Sequence, residues 1–271
     1  MRVGLVQLRT PATHAGALTH VAPLVREAAA KGARLIATPE VTNIVQRDRG
    51  VLLPSLMTGE ADPVVVGLRS LAAELGVTLL IGSALVRRAD GKTANRAFLI
   101  GPDGAVAATY DKIHMFDVDL PTGESLRESA AFEPGERLVT AEAEGATLGL
   151  TICYDLRFPA VHQALARAGA EIITVPSAFT RPTGQAHWEI LLRARAIETG
   201  SFVLAPAQGG EHEDGRSTWG HSMIIGPWGE ILSHADHDEP AVILADLDLS
   251  AVARARGAIP ALANARAFIN P

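Results

Sequence analysis

Three residues able to do covalent and proton chemistry stand where apolar runs give way to polar ones. Glu40 closes "RLIATPE", Lys112 lies in "TYDKIHMF" after two apolar segments joined by a turn, and Cys153 closes "TLGLTIC". Sites in open α/β sheets lie beyond the carboxyl ends of strands, so these three ends could supply one site. A thiol needs help to become the nucleophilic thiolate near neutral pH. A neighbouring carboxylate can accept its proton, and a neighbouring ammonium favours the thiolate and can hold a developing oxyanion. Each residue also has an ordinary reading. A free cysteine packs as a small hydrophobe, a glutamate before a turn is a surface charge, and a lysine is normally solvated. The combination points to nucleophilic catalysis with Glu40 as base. The chain has nine histidines, and none forms a sequence-local triad with Cys153. His114, two residues from Lys112, is the rival base.

The elements that must hold these residues recur in two halves. In the first, 2–8, 34–40 and 77–86 read as strands, and 17–33 and 62–76 as helices by their apolar spacing and their Gly and Pro stops. Residues 96–110 read as two strands around a Gly-Pro-Asp-Gly turn. In the second half, 147–153, 171–178 and 201–207 read as strands, 159–170 and 186–200 as helices, and 221–235 as a pair of strands around Gly-Pro-Trp-Gly. Both halves read β-α-β-α-β-ββ, and both hairpins carry Ile-Gly-Pro-x-Gly, which points to an internally duplicated fold. Apolar sheets with helices on one face each must stack on the other. The expected fold is therefore α/β, a four-layer α-β-β-α sandwich of two stacked sheets forming one domain over residues 1–271. A doubly wound single sheet is the alternative. Segments 43–61 and 113–146 interrupt the pattern, and loops of that length are usually functional. Residues 241–249 read as a last strand, and the 250–271 tail as a segment packing on a partner subunit.

Composition narrows the function classes. Of 271 residues, 48% are hydrophobic and 20% charged, which excludes a disordered chain. The net charge is −6 and no block of five Lys or Arg occurs, so nucleic acid is not an expected partner. One cysteine permits no intrachain disulfide. No apolar run of about 18 residues occurs, and "MRVGLVQL" is no signal peptide, so a soluble cytoplasmic protein without membrane contact is expected. Phosphate-loop and dinucleotide fingerprints are absent. The stretches "SHADHDE", with His234 and His237, and "EHEDGR" (211–216) read as solvated turns rather than metal sites, so neither metal nor organic cofactor is expected. Trp188, Leu191 and Leu192 share one helical face, read as core or dimer packing, and Arg193 and Arg195 read as structural ion-pair partners.

Three motifs in order, "ATPEVTN" around Glu40, "YDKIHMFDVDLP" around Lys112 and "GLTICYDLRFP" around Cys153, resemble those of the nitrilase superfamily of carbon-nitrogen hydrolases. The resemblance runs from "VGLVQL" to "ILADLDL". It implies the α-β-β-α sandwich, a Glu-Lys-Cys triad, no cofactor and a homodimer. It also implies a second glutamate after the lysine loop, for which Glu128, before Ser129, matches better than Glu124. Tyr154 and Asp155 follow the cysteine, as in the amidase branches, and "PSAFTRPTGQAHWEILLRARAIETGSFVLAPAQGG" looks most like the deaminated glutathione amidase branch. Arg181, Gly209 and Glu211 depart from that branch.

The implied reaction is hydrolysis of a small carboxamide through a Cys153 thioester. Lys112 and the Tyr154 N–H hold the oxyanion, and Glu128 supports the base. The implied substrate is deaminated glutathione, giving 2-oxoglutarate and cysteinylglycine, with an omega-amidase acting on 2-oxoglutaramate as the rival. Arg181 and Arg216, in loops after second-half strands, are candidate clamps for a substrate carboxylate. A catalytically idle scaffold and a thiol-redox sensor are the remaining alternatives. The first leaves the intact Glu-Lys-Cys set without a role, and the second lacks a resolving cysteine.

Overall fold

Strands made almost wholly of Val, Ile, Leu and Ala can be buried on both faces, and this chain buries them by stacking two sheets between helices. The computed structural model describes residues 1–119, 123 and 125–269. The first six-stranded sheet runs in the order Ala241–Asp246, Arg2–Gln7, Leu35–Ala37, Thr78–Arg87, Thr93–Ile100, Val106–Asp111. The second runs Val139–Ala143, Ala146–Leu150, Ile172–Thr174, Phe202–Ala205, Met223–Ile225, Ile231–His234. In each, the second, third and fourth strands are mutually parallel and the outer pairings antiparallel. The two sheets thus share one topology, the expected duplication, and the single-sheet alternative is excluded.

Alternation along each strand sorts the layers. Val3, Leu5, Leu35, Leu80 and Leu99 join a cluster with Leu148, Leu150 and Ile172 of the other sheet. Val6, Ile36, Leu79 and Ile81 instead meet Val21 and Val25 of the helix His14–Ala30 and Leu68 of the helix Pro63–Leu75. The second sheet is covered by the helices Pro159–Arg167 and Arg181–Thr199 through Val161, Leu165, Trp188 and Leu192. Leu191 packs partly buried against the same cluster. A glycine sits at the matching place in both lead strands. A Cβ on Gly4 would lie 3.1 Å from that of Ala33, and one on Gly149 3.1 Å from those of Ala170 and Leu165. Helix Pro63–Leu75 carries its own signals: Asp62 caps Val64 and Val65, Pro63 opens the helix, and Gly76 ends it in the left-handed conformation.

Several elements differ from expectation. The strands nearest the reactive residues are short. Leu35–Ala37 stops before Glu40 and Ala146–Leu150 before Cys153, because both residues occupy the turns that follow. Segment 43–61 contains the helix Arg49–Ser55, and 113–146 contains the hairpin Asp117–Asp119 with Ser125–Arg127 and the edge strand Val139–Ala143. The last strand, Ala241–Asp246, closes the first sheet beside Arg2–Gln7. The start of the tail, helix Ser250–Ala258, packs on its own subunit. Val252 is buried and Arg256 donates to the carbonyls of Ala170 and Thr199. Among the described residues no helix is long and apolar enough to cross a membrane.

Candidate active site

Glu40 is positioned by a turn strapped to a neighbouring strand. Ser83 is the strap: its Oγ accepts from the Val41 N–H at 2.9 Å, its carbonyl accepts from the Thr42 N–H, and its own N–H donates to the Pro39 carbonyl. Val41 takes φ 53°, a conformation a β-branched residue avoids unless its surroundings impose it. From the second half, Gln208 Nε2 donates to the Glu40 carbonyl at 2.9 Å. The close approach is possible only beside a glycine. A Cβ on Gly82 would fall 1.9 Å from the Thr38 carbonyl oxygen and 2.4 Å from Pro176 Cβ.

Lys112 leaves the strand Val106–Asp111 and turns inward, its N–H bonded to the Asn95 carbonyl. Its side chain is 2% exposed, and Nζ lies 2.9 Å from Glu40 Oε1 and 3.0 and 2.8 Å from the two oxygens of Glu128. Glu128 also accepts from the Phe116 N–H at 2.7 Å. The second glutamate is therefore in contact with the lysine. Glu124 lies outside the described residues.

Cys153 starts the 3-10 turn Cys153–Arg157 with φ 48°, its N–H bonded to the Pro176 carbonyl at 2.9 Å. Buried Asp155 holds this turn by accepting from the Ile152 N–H, the Tyr110 hydroxyl and the His114 N–H, while His114 Nδ1 lies 2.8 Å from its carboxylate. His114 stacks on Phe158 at 3.5 Å. The rival base is thus committed to Asp155 and supports the turn. Tyr154 follows Cys153 in this turn, its ring edge-on to those of Phe116 and Phe158.

The electrostatics follow from this enclosure. Burial opposes the charge on Lys112, but Glu128, Glu40 and Cys153 outweigh it and hold the ammonium well above the ordinary lysine range. Burial, and after it the Glu40 carboxylate, push the Cys153 thiol well above its usual range. Lys112 and the Ala178 N–H pull the other way. The resting cluster therefore has a neutral thiol beside an ammonium and two carboxylates.

These groups open onto a cavity of about 780 Å³ that Leu52, Phe132, His212 and Thr218 also line. Arg181 and Arg216 also line it. Arg181 is the first residue of its helix rather than a loop residue, because Pro182 starts the helix earlier than the apolar spacing does. It pairs with Asp238 at 2.5 Å and Arg216 with Asp214 at 2.7 Å, and both remain about half exposed, at 44% and 40%. Arg193 and Arg195 pair with Glu189 and Glu198, as expected of structural residues. His234 is exposed on an outer strand and the His237 ring accepts from the Glu239 N–H, both outside the cavity. Sequence reasoning missed Asn95, which donates to Glu40 Oε1 at 2.9 Å and Glu128 Oε1 at 3.2 Å. A buried amide inside an apolar strand was its only signal.

The family model described as Carbon-nitrogen hydrolase matches residues 2–257. The chain belongs to the carbon-nitrogen hydrolase family. Deaminated glutathione amidase of Homo sapiens is 40% identical over 250 residues, covering 90% of this chain and 76% of that protein. Omega-amidase NIT2 of Homo sapiens is 33% identical over 259 residues, covering 96% and 92%. Among solved structures, a glutamate-to-glutamine mutant of the amidase from Nesterenkonia sp. AN1 superimposes with a TM-score of 0.80 at 27% identity, covering 96% of this chain and 98% of that one. In it acrylamide has added to the active site cysteine. Within the carbon-nitrogen hydrolases the chain thus groups with amidases of the nitrilase superfamily that act through a cysteine, and Cys153 is its one cysteine.

Gly82→Ala tests the strap directly. It should destabilise the fold by about 1–3 kcal/mol. By shifting the Glu40 turn it should also lower amide hydrolysis by up to about 10²-fold. Thermal unfolding and steady-state kinetics on the same preparation read both effects, and wild-type rates in the variant would show that the turn tolerates displacement.

Proposed function

We propose that the protein hydrolyses a small, carboxylate-bearing carboxamide, with Cys153 as nucleophile, Glu40 as general base and Lys112 with the Tyr154 N–H as oxyanion holders. The observation that carries this reading is the count of donors on the two glutamates. A carboxylate offers about four acceptor sites. Glu128 is filled by Asn95, by Lys112 on each oxygen and by Phe116 N–H. Glu40 accepts from Lys112 and Asn95 on Oε1 and from the Ala178 N–H on Oε2. One site on Oε2 remains, and the Glu40 carboxylate acts on the Cys153 thiol strongly enough to help hold it protonated. Glu128 is a fixed anion that orients Lys112, and Glu40 is the proton acceptor.

The steps balance as follows. Glu40 takes the thiol proton as sulfur attacks the amide carbon, and the carbonyl oxygen becomes an oxyanion. Glu40 passes the proton to the leaving nitrogen, the C–N bond breaks, and the amine departs from a thioester. Water then gives a proton to Glu40 and attacks the thioester carbon. The C–S bond breaks, the acid leaves, and the proton returns to sulfur.

Resemblance to deaminated glutathione amidase supports deaminated glutathione as substrate, with cysteinylglycine as the leaving amine. A cavity of about 780 Å³ also suits a tripeptide-sized amide. Likeness to omega-amidase favours 2-oxoglutaramate as the second reading. Rates on deaminated glutathione, 2-oxoglutaramate, glutamine and a simple nitrile separate these.

The roles make distinct kinetic signatures. Cys153→Ala should abolish turnover, and mass spectrometry of the trapped wild type should find the acyl group on Cys153. Lys112→Met should lower kcat by about 10²–10³-fold. Glu40→Gln should block acylation in a single turnover, whereas Glu128→Gln should weaken it less. Normal acylation by Glu40→Gln would remove it as base.

Carboxylate recognition is tested by comparing kcat/KM for the acid and methyl ester of one amide, in wild type, Arg181→Ala and Arg216→Ala. The acid should be preferred, and the preference should shrink in the variants. Both arginines already hold aspartates, so a preference surviving both changes would move the clamp elsewhere.

We further propose a homodimer. Ile190, Ile197, Trp228 and Ile259 are exposed large apolar residues on the outer helix Arg181–Thr199, a hairpin tip and the tail. Sedimentation at micromolar concentration should give the dimer mass, and a monomer alone would contradict it.

A further inference from the structure

Asn95 lies in the strand Thr93–Ile100 and is almost fully buried. Its Nδ2 donates at once to Glu40 Oε1 and Glu128 Oε1, at 2.9 and 3.2 Å. The amide must point this way, since a rotated one would aim its oxygen at two carboxylates. The opposite end, Oδ1, is buried with no partner among the described residues. A buried acceptor without a donor is costly, so packing alone would favour an apolar residue here. Something in the site makes use of the two donors.

We propose that Asn95 is a positioning residue for the base: by filling Glu40 Oε1 beside Lys112, it leaves Oε2 as the one oxygen free to take the Cys153 proton. The inference rests on the reading of Glu40 as base. An oxygen of a carboxylate accepts about two hydrogen bonds. Oε1 has two, from Lys112 and Asn95, and Oε2 has one from the Ala178 N–H. Without Asn95, Oε1 opens as a second place for the proton, and the ionised carboxylate loses a donor that favours it. The titratable groups facing Glu40 are Lys112 and Cys153, with Glu128 beyond Lys112.

The experiment measures the rate of Cys153 alkylation by iodoacetamide against pH, by intact-protein mass, alongside kcat and KM. Wild type, Asn95→Leu and Glu40→Gln are compared. Asn95→Leu should lower kcat by about 10–10²-fold with little change in KM, and should move the acid limb of both profiles to higher pH. If Asn95→Leu does not fold, the isosteric Asn95→Asp carries the same test. It loses the amide donors and crowds a third carboxyl against the two glutamates, which raises the proton affinity of the group, so its limb should move further. A rate loss with an unmoved limb would make Asn95 merely structural, and unchanged rates would remove it from the site. Glu40→Gln separates the two readings. Should its alkylation profile match wild type, the base assignment fails. Should it change while Asn95→Leu does not, Asn95 alone is overturned.

Discussion

Burial of one ammonium organises the site. Lys112 is 2% exposed, and a charge so placed is tolerable only when partners satisfy it. It takes two carboxylates from separate segments, Glu40 and Glu128, and removing one partner of such a set typically costs about 3–5 kcal/mol. The requirement explains the surrounding architecture. The loop after Lys112 must return so that Glu128 can face it, and the Phe116 N–H and Asn95 must complete Glu128. The turn carrying Glu40 must be strapped to the strand Thr78–Arg87 in a conformation that Val41 would otherwise avoid. The cluster also sets the resting state of the thiol, which is kept protonated by burial and by the nearby carboxylate.

The symmetric frame carries asymmetric chemistry. Gly4 pairs with Ile36 in the first sheet as Gly149 pairs with Ile173 in the second. Counting outward from these pairs, Leu8 occupies the place of Cys153, and Thr38-Pro39-Glu40 the place of Val175-Pro176-Ser177. Glu40 and Cys153 therefore come from different strands of different halves, each at a strand end facing the seam. The seam holds them in register. Cys153 N–H bonds to the Pro176 carbonyl, Ala178 N–H to Glu40 Oε2, and Gln208 to the Glu40 carbonyl. Gly82 lies against both turns, and a side chain there would strike both.

What the sequence made legible follows the same physics. Glu40, Lys112 and Cys153 could be read because reactive types at the ends of apolar runs are conspicuous, and both halves repeat one rhythm of apolar segments and turns. The partners were less visible. Asn95 looks like an ordinary polar residue in a strand, and its value lies in groups 55 and 33 residues away. Arg181 and Arg216 read as free cations because Asp238 is distant in sequence and Asp214 sits in a turn whose geometry no pattern gives. The edge strand Val139–Ala143 was hidden by its Thr and Glu, since only one side of an edge is covered. The pairing of Ala241–Asp246 with Arg2–Gln7 joins the ends of the chain, so local periodicity could not reveal it.

The hydrogen bonds on Lys112 also constrain the order of events. Its ammonium has three protons, and at rest its contacts are one oxygen of Glu40 and both of Glu128. No donor is left for an oxyanion until one contact loosens. On the proposed mechanism, the thiol proton arrives on Glu40 as the sulfur attacks. A neutral carboxyl holds an ammonium far less strongly than a carboxylate does, so this transfer weakens the Lys112–Glu40 contact when the carbonyl oxygen gains its charge. Glu128 keeps all four of its bonds and holds the lysine in place while one donor turns to the oxyanion. Net charge in the pocket is conserved, moving from Glu40 to the oxyanion by way of sulfur. Activation of the nucleophile and stabilisation of the transition state are therefore one event in amide attack.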